Sequence, residues 1–343
     1  MDFDRGRLIG VLLGLLVSIP VYIKLAVRCL VVGWGVFRVK QRHIPPACLQ
    51  DPEFGVHKYR MVNGIKIHYV EAGEEDNPLM VFVHGFPEFW FVWRHQLKYF
   101  KKNYRVIALD NRGYNDSEKP EGIENYSIKL LVDDIKTLVE GLGVSKFNLI
   151  GHDWGGAICW TFAALHPELL DSLVICNCPH TLALRDQRQG GWEQIIKSWY
   201  VVFFQCPVLP ELFALSEDMK VLEGMLADAG LDKDSEEVEA YKYAFREFRT
   251  WTGGMNYYRC AMSKKSKDFW KDEQNQKKIQ LIKVRTLQIF GTSDKYLAVA
   301  GAEGSAKYVA DHKLELLEGV SHWVQQETPD RVNMIIENFI KLS

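Results

Sequence analysis

Phe147-Asn148-Leu149-Ile150-Gly151-His152-Asp153-Trp154-Gly155-Gly156-Ala157 reads as a buried strand that enters a tight turn and leaves it as a helix. The apolar lead-in Phe147 to Ile150 suits a strand covered on both faces, and the Ala-rich run Ala157 to Leu165 suits a helix. Gly151 and Gly155 supply small residues on either side of Asp153, as so sharp a turn requires. The turn would hold Asp153 at the C-terminal edge of a sheet, facing a pocket, in the elbow where other enzymes carry a nucleophilic serine. The same Asp would also serve as the N-cap of an ordinary helix. Partners elsewhere in the chain have to decide between the two.

Outward from this stretch, apolar strands alternate with helical segments. Leu79-Met80-Val81-Phe82-Val83 is a continuous apolar strand ending in His84-Gly85-Phe86-Pro87, and Tyr104 to Leu109 is another, ending in Asp110-Asn111-Arg112-Gly113-Tyr114. Ile128 to Leu142 has helical periodicity, and Leu173 to Cys176 is a strand after the elbow helix. This order predicts an α/β fold: a mostly parallel central sheet with helices on both faces. Ahead of it, His57 to Ala72 alternates around Asn63-Gly64, which predicts two antiparallel strands and a hairpin turn. From about His180 to Met262 the rhythm stops, and Trp and Tyr residues recur with helix-like patterning. So long a connection without strands reads as a functional insertion, here a helical cap over the C-terminal edge of the sheet. Strands return at Thr286 to Phe290, ending in Gly291-Thr292-Ser293-Asp294, and at Leu314 to Leu317, followed by Gly319-Val320-Ser321-His322-Trp323; Pro329 to Ile340 closes the chain as a helix. The expected division is an anchor with its basic flank over 1–40, a linker over 41–56, a core over 57–179 and 266–343, and the cap over 180–265.

The 343 residues are 47% hydrophobic and 25% charged, ample for a large buried core. A net charge of −2 offers no basic field to a nucleic acid. The seven cysteines are odd in number and no pair has zinc-ligand spacing, so they read as reduced core residues. Cys176 and Cys178, two apart, are expected on one face of a strand. No metal or other cofactor is expected. Leu8 to Val27 is apolar with one Lys near its end, and about 20 such residues suffice to cross a bilayer. A signal peptide is the rival, but its apolar region would be long and no clear small-residue cleavage site follows. An uncleaved single-pass anchor is expected, with the lipid bilayer as partner. Arg5 and Arg7 precede the run, whereas Lys24, Arg28, Arg38, Lys40 and Arg42 follow. The positive-inside bias then leaves the catalytic part on the cytosolic face, as for an endoplasmic reticulum anchor. Asn115-Asp116-Ser117 and Asn125-Tyr126-Ser127 are glycosylation sequons that would matter only in the lumen.

Asp153, Asp294 and His322 fall in the chain order nucleophile, acid, histidine, and each follows a strand, so all three converge on one sheet edge. That order is the one found in α/β-hydrolases. His84 and His152 also lie beside the site, next to turn glycines, and read as structural. Developing negative charge needs fixed N–H donors; the backbones of Phe86 and Trp154 are the candidates, and both residues would border the substrate. An Asp nucleophile directs the chemistry. With an ordinary pKa near 4 it is ionised at neutral pH without a base. A carboxylate attacks saturated carbon bearing a leaving group and leaves an ester. His322, oriented by Asp294, would then activate water against that ester. Epoxides and alkyl halides both fit, the first requiring O–H donors and the second weaker N–H donors.

The motifs His84-Gly85-Phe86-Pro87, Gly151-His152-Asp153-Trp154-Gly155-Gly156 and Gly319-Val320-Ser321-His322-Trp323, with two cap segments, make the chain similar to the epoxide hydrolases of the α/β-hydrolase superfamily. It most resembles the membrane-anchored epoxide hydrolase 4-like group, from about Pro45 to the C-terminus. The resemblance implies one tyrosine from each cap segment donating to the epoxide oxygen: Tyr200 in Ser198-Trp199-Tyr200-Val201-Val202-Phe203-Phe204-Gln205-Cys206-Pro207, and Tyr258 in Met255-Asn256-Tyr257-Tyr258-Arg259. Asn115 stands where the family often has Gly. Haloalkane dehalogenases are the near alternative and share Asp-Trp-Gly, but Phe86 stands where some of them need Asn, and Trp154 where fluoroacetate dehalogenases need Arg. A non-catalytic hydrolase-like binding protein is a further alternative, although every catalytic position here is filled. The aromatic cap and the anchor together suggest an apolar substrate such as a fatty-acid epoxide.

Overall fold

The structure, a computed structural model, describes residues 5–190 and 192–341. Eight strands form one sheet: β1 (Val56–Val62), β2 (Ile65–Ala72), β3 (Leu79–Val83), β4 (Arg105–Leu109), β5 (Phe147–His152), β6 (Leu170–Cys176), β7 (Thr286–Gly291) and β8 (His312–Leu317), in spatial order β1-β2-β4-β3-β5-β6-β7-β8. β1 and β2 form the expected hairpin, with Asn63 and Gly64 both at positive φ, as the tight turn between twisted strands demands. β1–β2 and β2–β4 are antiparallel, and the remaining pairings are parallel. β3, β4 and β5 are buried along their whole lengths, which is why they read as unbroken apolar runs. Helices cover both faces, among them Arg94–Phe100 against β4 and the elbow helix Trp154–Leu165 against β5 and β6.

Between β6 and β7 the described residues contain helices and no strand. These helices, Thr181–Gly190 to Phe248–Ala261, lie over the sheet edge where β3, β5, β7 and β8 end. The longest, Leu209–Asp228, is broken at Ser216 to Met219, where Glu217, Asp218 and Met219 take φ of 51°, 56° and 66°. Left-handed backbone is unfavourable for residues with a side chain. Here it is held from outside: the Arg28 side chain bonds Glu217 through Nε at 3.2 Å, and Arg42 bonds Asp218 with both terminal nitrogens at 2.7 Å.

Three expectations change. The apolar N-terminal run is two helices, Arg5–Val17 and Ile19–Val32, meeting at Ser18. Pro20 is the cause, since it has no N–H to return to the preceding turn. The helix long and apolar enough to cross a membrane therefore starts later than Leu8–Val27 and covers Ile19–Phe37, with mean hydropathy 1.6. The expected linker over 41–56 is folded: Arg42, Leu49 and Phe54 are buried, and the Phe54 ring packs edge-on against Trp90 and Phe91. Cys176 and Cys178 do not share a strand face, because β6 stops at Cys176 and Asn177 turns the chain at φ 42°; all seven cysteines are free thiols.

The elbow works because backbones touch. A Cβ on Gly155 would fall 2.1 Å from the Val83 carbonyl oxygen and 2.7 Å from that of His84. One on Gly151 would fall 2.5 Å from the Gly155 oxygen. Neither obstacle is a movable side-chain tip. Gly155→Ala is therefore expected to destabilise the fold by about 1–3 kcal/mol, the usual range for overpacking, and to lower the melting temperature measured by circular dichroism. Gly224→Ala, where nothing lies within 4 Å of the new carbon, serves as control.

Candidate active site

β5 ends at His152 and the elbow helix begins at Trp154. Asp153 between them takes φ 51° and ψ −119°, a conformation that non-glycine residues rarely adopt and that clusters at functional sites. It turns the carboxylate out of the sheet edge toward the loop after β3. There the Phe86 N–H donates to Asp153 Oδ1 at 3.0 Å. Gly85 permits the approach, since a Cβ on it would sit 2.4 Å from the Asp153 Cβ. The other carboxylate oxygen, Oδ2, faces His322 Nε2 at 3.6 Å. The Trp154 N–H belongs to the first turn of the helix, where no earlier carbonyl is in reach.

His322 stands on the loop after β8, and its Nδ1 bonds Asp294 Oδ2 at 2.7 Å. Asp294 follows β7 and is fixed by Asn177 Nδ2 at 2.8 Å and by the N–H groups of Tyr296 and Leu297 at 2.7 and 2.9 Å. Burial by itself would push the His322 pKa down, but the carboxylates of Asp294 and Asp153 on its two sides raise it to about 10. Burial likewise works against ionisation of Asp153 and Asp294; the facing imidazolium and the N–H donors overcome it and hold both below the usual carboxylate range. The two carboxylates thus favour the protonated form of the histidine between them.

Across from Asp153 the cap supplies Tyr200 and Tyr258, with ring centroids 5.8 Å apart. Burial and the nearby Asp153 charge raise both phenols above their ordinary value, so both are O–H donors at any physiological pH. The Trp154 and Phe86 rings pack edge-on against Tyr258 at 5.1 and 5.6 Å. Tyr257, the neighbour, is turned to the core and donates to the Arg112 carbonyl at 2.8 Å. Two cavities, of about 420 and 270 Å³, reach the site from different sides, and Asp153, Tyr200 and Tyr258 line both. Phe86 and His322 border the larger and Trp154 the smaller. Every residue singled out in the sequence is therefore at this one place. Among the described residues no group of three or more His, Cys, Asp or Glu could hold a metal ion.

Glu88 and Asn177 were not picked out in the sequence, and His84 and His152 were read there as structural. Glu88 accepts the Gly85 N–H at 2.7 Å and binds His152 Nδ1 at 2.8 Å, while His152 Nε2 bonds the His322 carbonyl at 2.9 Å. This chain ties the loop after β3 to the loop carrying His322. His84 is braced in the same way, with Nδ1 on the Gly85 carbonyl and Nε2 accepting the Asn111 N–H at 3.0 Å. Asn177 had one visible signal, a polar residue directly beyond an apolar strand that ends at the same sheet edge.

Residues 78–195 match the family described as the alpha/beta hydrolase fold. The chain is 38% identical over 301 residues to epoxide hydrolase 2 of Caenorhabditis elegans, covering 86% of this chain and 82% of that one. It is 39% identical over 315 residues to human epoxide hydrolase 4, covering 89% and 84%. An epoxide hydrolase of Bacillus megaterium, solved with an inhibitor, matches with a TM-score of 0.74 and 32% identity over 83% of this chain and 100% of that one. Identity of this extent, across nearly the whole length of the relatives and on the same architecture, means that the chain belongs to the epoxide hydrolases of the α/β-hydrolase fold.

Proposed function

We propose that the protein converts lipophilic epoxides to vicinal diols in two steps, through an ester on Asp153. The observation that carries this reading is the placement of His322 between two carboxylates, bonded to Asp294 at 2.7 Å and facing Asp153 at 3.6 Å, which favours its protonated form. A protonated His322 is no base for direct attack of water on the epoxide. Ionised Asp153 needs none. It attacks an epoxide carbon while Tyr200 and Tyr258 donate to the ring oxygen, and the carbon–oxygen bond opens as a tyrosine proton passes to the alkoxide. Two phenolic donors opposite Asp153 suit an epoxide oxygen better than a halide.

Ester formation cancels the Asp153 charge. His322 then keeps one carboxylate neighbour instead of two, its pKa falls, and it can release its proton. The neutral imidazole, held by Asp294, takes a proton from the water that attacks the ester carbonyl. The Phe86 and Trp154 N–H groups hold the oxyanion; as the intermediate collapses, the bond between the Asp153 acyl carbon and the diol oxygen breaks, that oxygen takes the remaining proton of the water, the proton His322 released returns through solvent to the tyrosinate, and Asp153 is regenerated as a carboxylate. The order of the two steps is written into the electrostatics.

The division proposed is a core of 57–179 and 266–343 under a cap of 180–265. The apolar wall of the larger cavity, including Phe203, Phe213, Val221, Met225 and Trp251, favours chain-like substrates. The N-terminal helices present an uncovered apolar face, with Leu12, Leu16, Ile23, Leu30 and Val31 all exposed, which suits a bilayer. Lys24 and Arg28 fall inside the Ile19–Phe37 span, and the three basic residues after it, Arg38, Lys40 and Arg42, against Arg5 and Arg7 before it, support a cytosolic catalytic part. Asn115 is a poor glycan acceptor whatever the orientation, since its side-chain nitrogen donates to Asp110 at 2.8 Å and Ser117 of the same sequon is buried.

His322→Gln should stall after one turnover, with intact-mass spectrometry showing one added substrate mass mapped to the peptide holding Asp153; an unmodified variant argues for direct water attack. Tyr200→Phe or Tyr258→Phe should each slow ring opening by about 10²-fold, the scale of a lost general acid or oxyanion donor, and the double variant should nearly abolish it in stopped-flow single turnovers. Since His322 stays protonated to about pH 10, ester formation should be flat from about pH 6 to 9, while ester hydrolysis rises with pH through the lower pKa of the esterified site. A glycosylation acceptor appended at the C-terminus should remain unmodified in cells; sugar there reverses the orientation.

A further inference from the structure

The two cavities meet at Asp153, Tyr200 and Tyr258 and differ in charge. No Lys or Arg lines the larger one; beyond the catalytic groups its ionisable wall residue is Asp228, already paired with Lys295 at 2.6 Å. The smaller is walled by apolar and neutral side chains such as Ala157, Leu184, Val201 and Trp270, and it contains one cation, Arg188. Among the described residues Arg188 has no carboxylate partner. Its contact is one long hydrogen bond, from Nη2 to the Ser198 hydroxyl at 3.4 Å. The residue is otherwise exposed, so it stands at the rim, where the cavity meets solvent.

A guanidinium keeps its charge and offers a planar fork of donors that matches a carboxylate. The missing partner is an anion that arrives from outside. A chain threaded through both cavities puts its middle between Asp153 and the two tyrosines, one apolar end in the larger cavity and the other end at Arg188. The opposite threading would bring an acid to Asp228 and away from any cation lining a wall.

We propose that Arg188 forms a carboxylate subsite at the rim of the smaller cavity, and that the preferred substrate is a long-chain epoxide with a free acid, bound tail-first into the larger cavity. This rests on the reading that Asp153 opens chain-like epoxides. Arg188 is a specificity residue; it takes no part in bond making.

The test compares a mid-chain epoxy fatty acid with its methyl ester, on the full chain in neutral detergent. For the wild type, KM for the acid should be about tenfold below that for the ester, the scale of one charge-assisted contact. Arg188→Gln should raise KM for the acid about tenfold and leave kcat and the ester nearly unchanged, and Arg188→Lys should recover part of the loss. An acid-to-ester KM ratio that stays the same in Arg188→Gln overturns the subsite while the chain-like substrate stands. Turnover of neither chain, with a small aryl epoxide still consumed, overturns both. A measurement without any variant decides the matter if Arg188→Gln does not fold: a saturated fatty acid should inhibit wild-type turnover at about one-tenth the concentration of the matching fatty alcohol, and equal inhibition overturns the subsite.

Discussion

A carboxylate buried at a sheet edge stays ionised only if the surrounding chain supplies compensating charge. Asp153 is such a group, and much of the architecture follows from compensating it. The imidazolium of His322 comes from the loop after β8, its second carboxylate from the end of β7, and the Phe86 N–H from the end of β3. Parallel strands are what bring these ends to one edge. The glycines at 85, 151 and 155 let the backbones close to distances that a Cβ would forbid. Strain at Asp153 is the local expense of pointing one side chain at all of these partners.

The mutual dependence of the charges also gives the site its timing. With both carboxylates ionised, His322 is a stabilising cation and no base. In the proposed mechanism, esterification of Asp153 removes one negative charge and lets the same imidazole act as a base. Tyr200 and Tyr258, kept protonated by burial beside Asp153, close the opposite wall. With Asp153 they line both cavities.

What was legible in the sequence was whatever leaves a local or ordered trace. Strands buried on both faces show as apolar runs, the elbow shows through Gly151 and Gly155, and Asp294 and His322 show because they follow strands in the right order. The single-span reading of the N-terminus counted apolar residues and overlooked Pro20, which moves the helix boundary. Open loops read from Pro45, Pro46 and Pro52 proved to be packed, because Phe54 finds Trp90 and Phe91 some 40 positions on, and proline content says nothing of such partners. Glu88 and Arg188 left no trace for a related reason. Glu88 is defined by contacts 64 and 237 positions away. Arg188 is defined by a partner it lacks. Neither lies on a periodic face.

The N-terminal segment leans on the cap and not on the sheet. A Cβ at Gly14 would fall 2.8 Å from the Cys206 nitrogen, Lys24 lies over the Phe213 ring at 5.4 Å, and Arg28 and Arg42 grip the left-handed turn at Glu217 and Asp218. Phe213 and Val221, on either side of that turn, are walls of the larger cavity. Mechanically, the N-terminal helices, the turn and this wall are one part, and the sheet with Asp153 is the other. With those helices held in a bilayer as proposed, a hinge between the two would swing the catalytic sheet beneath a stationary roof, the reverse of a lid lifting from a fixed base.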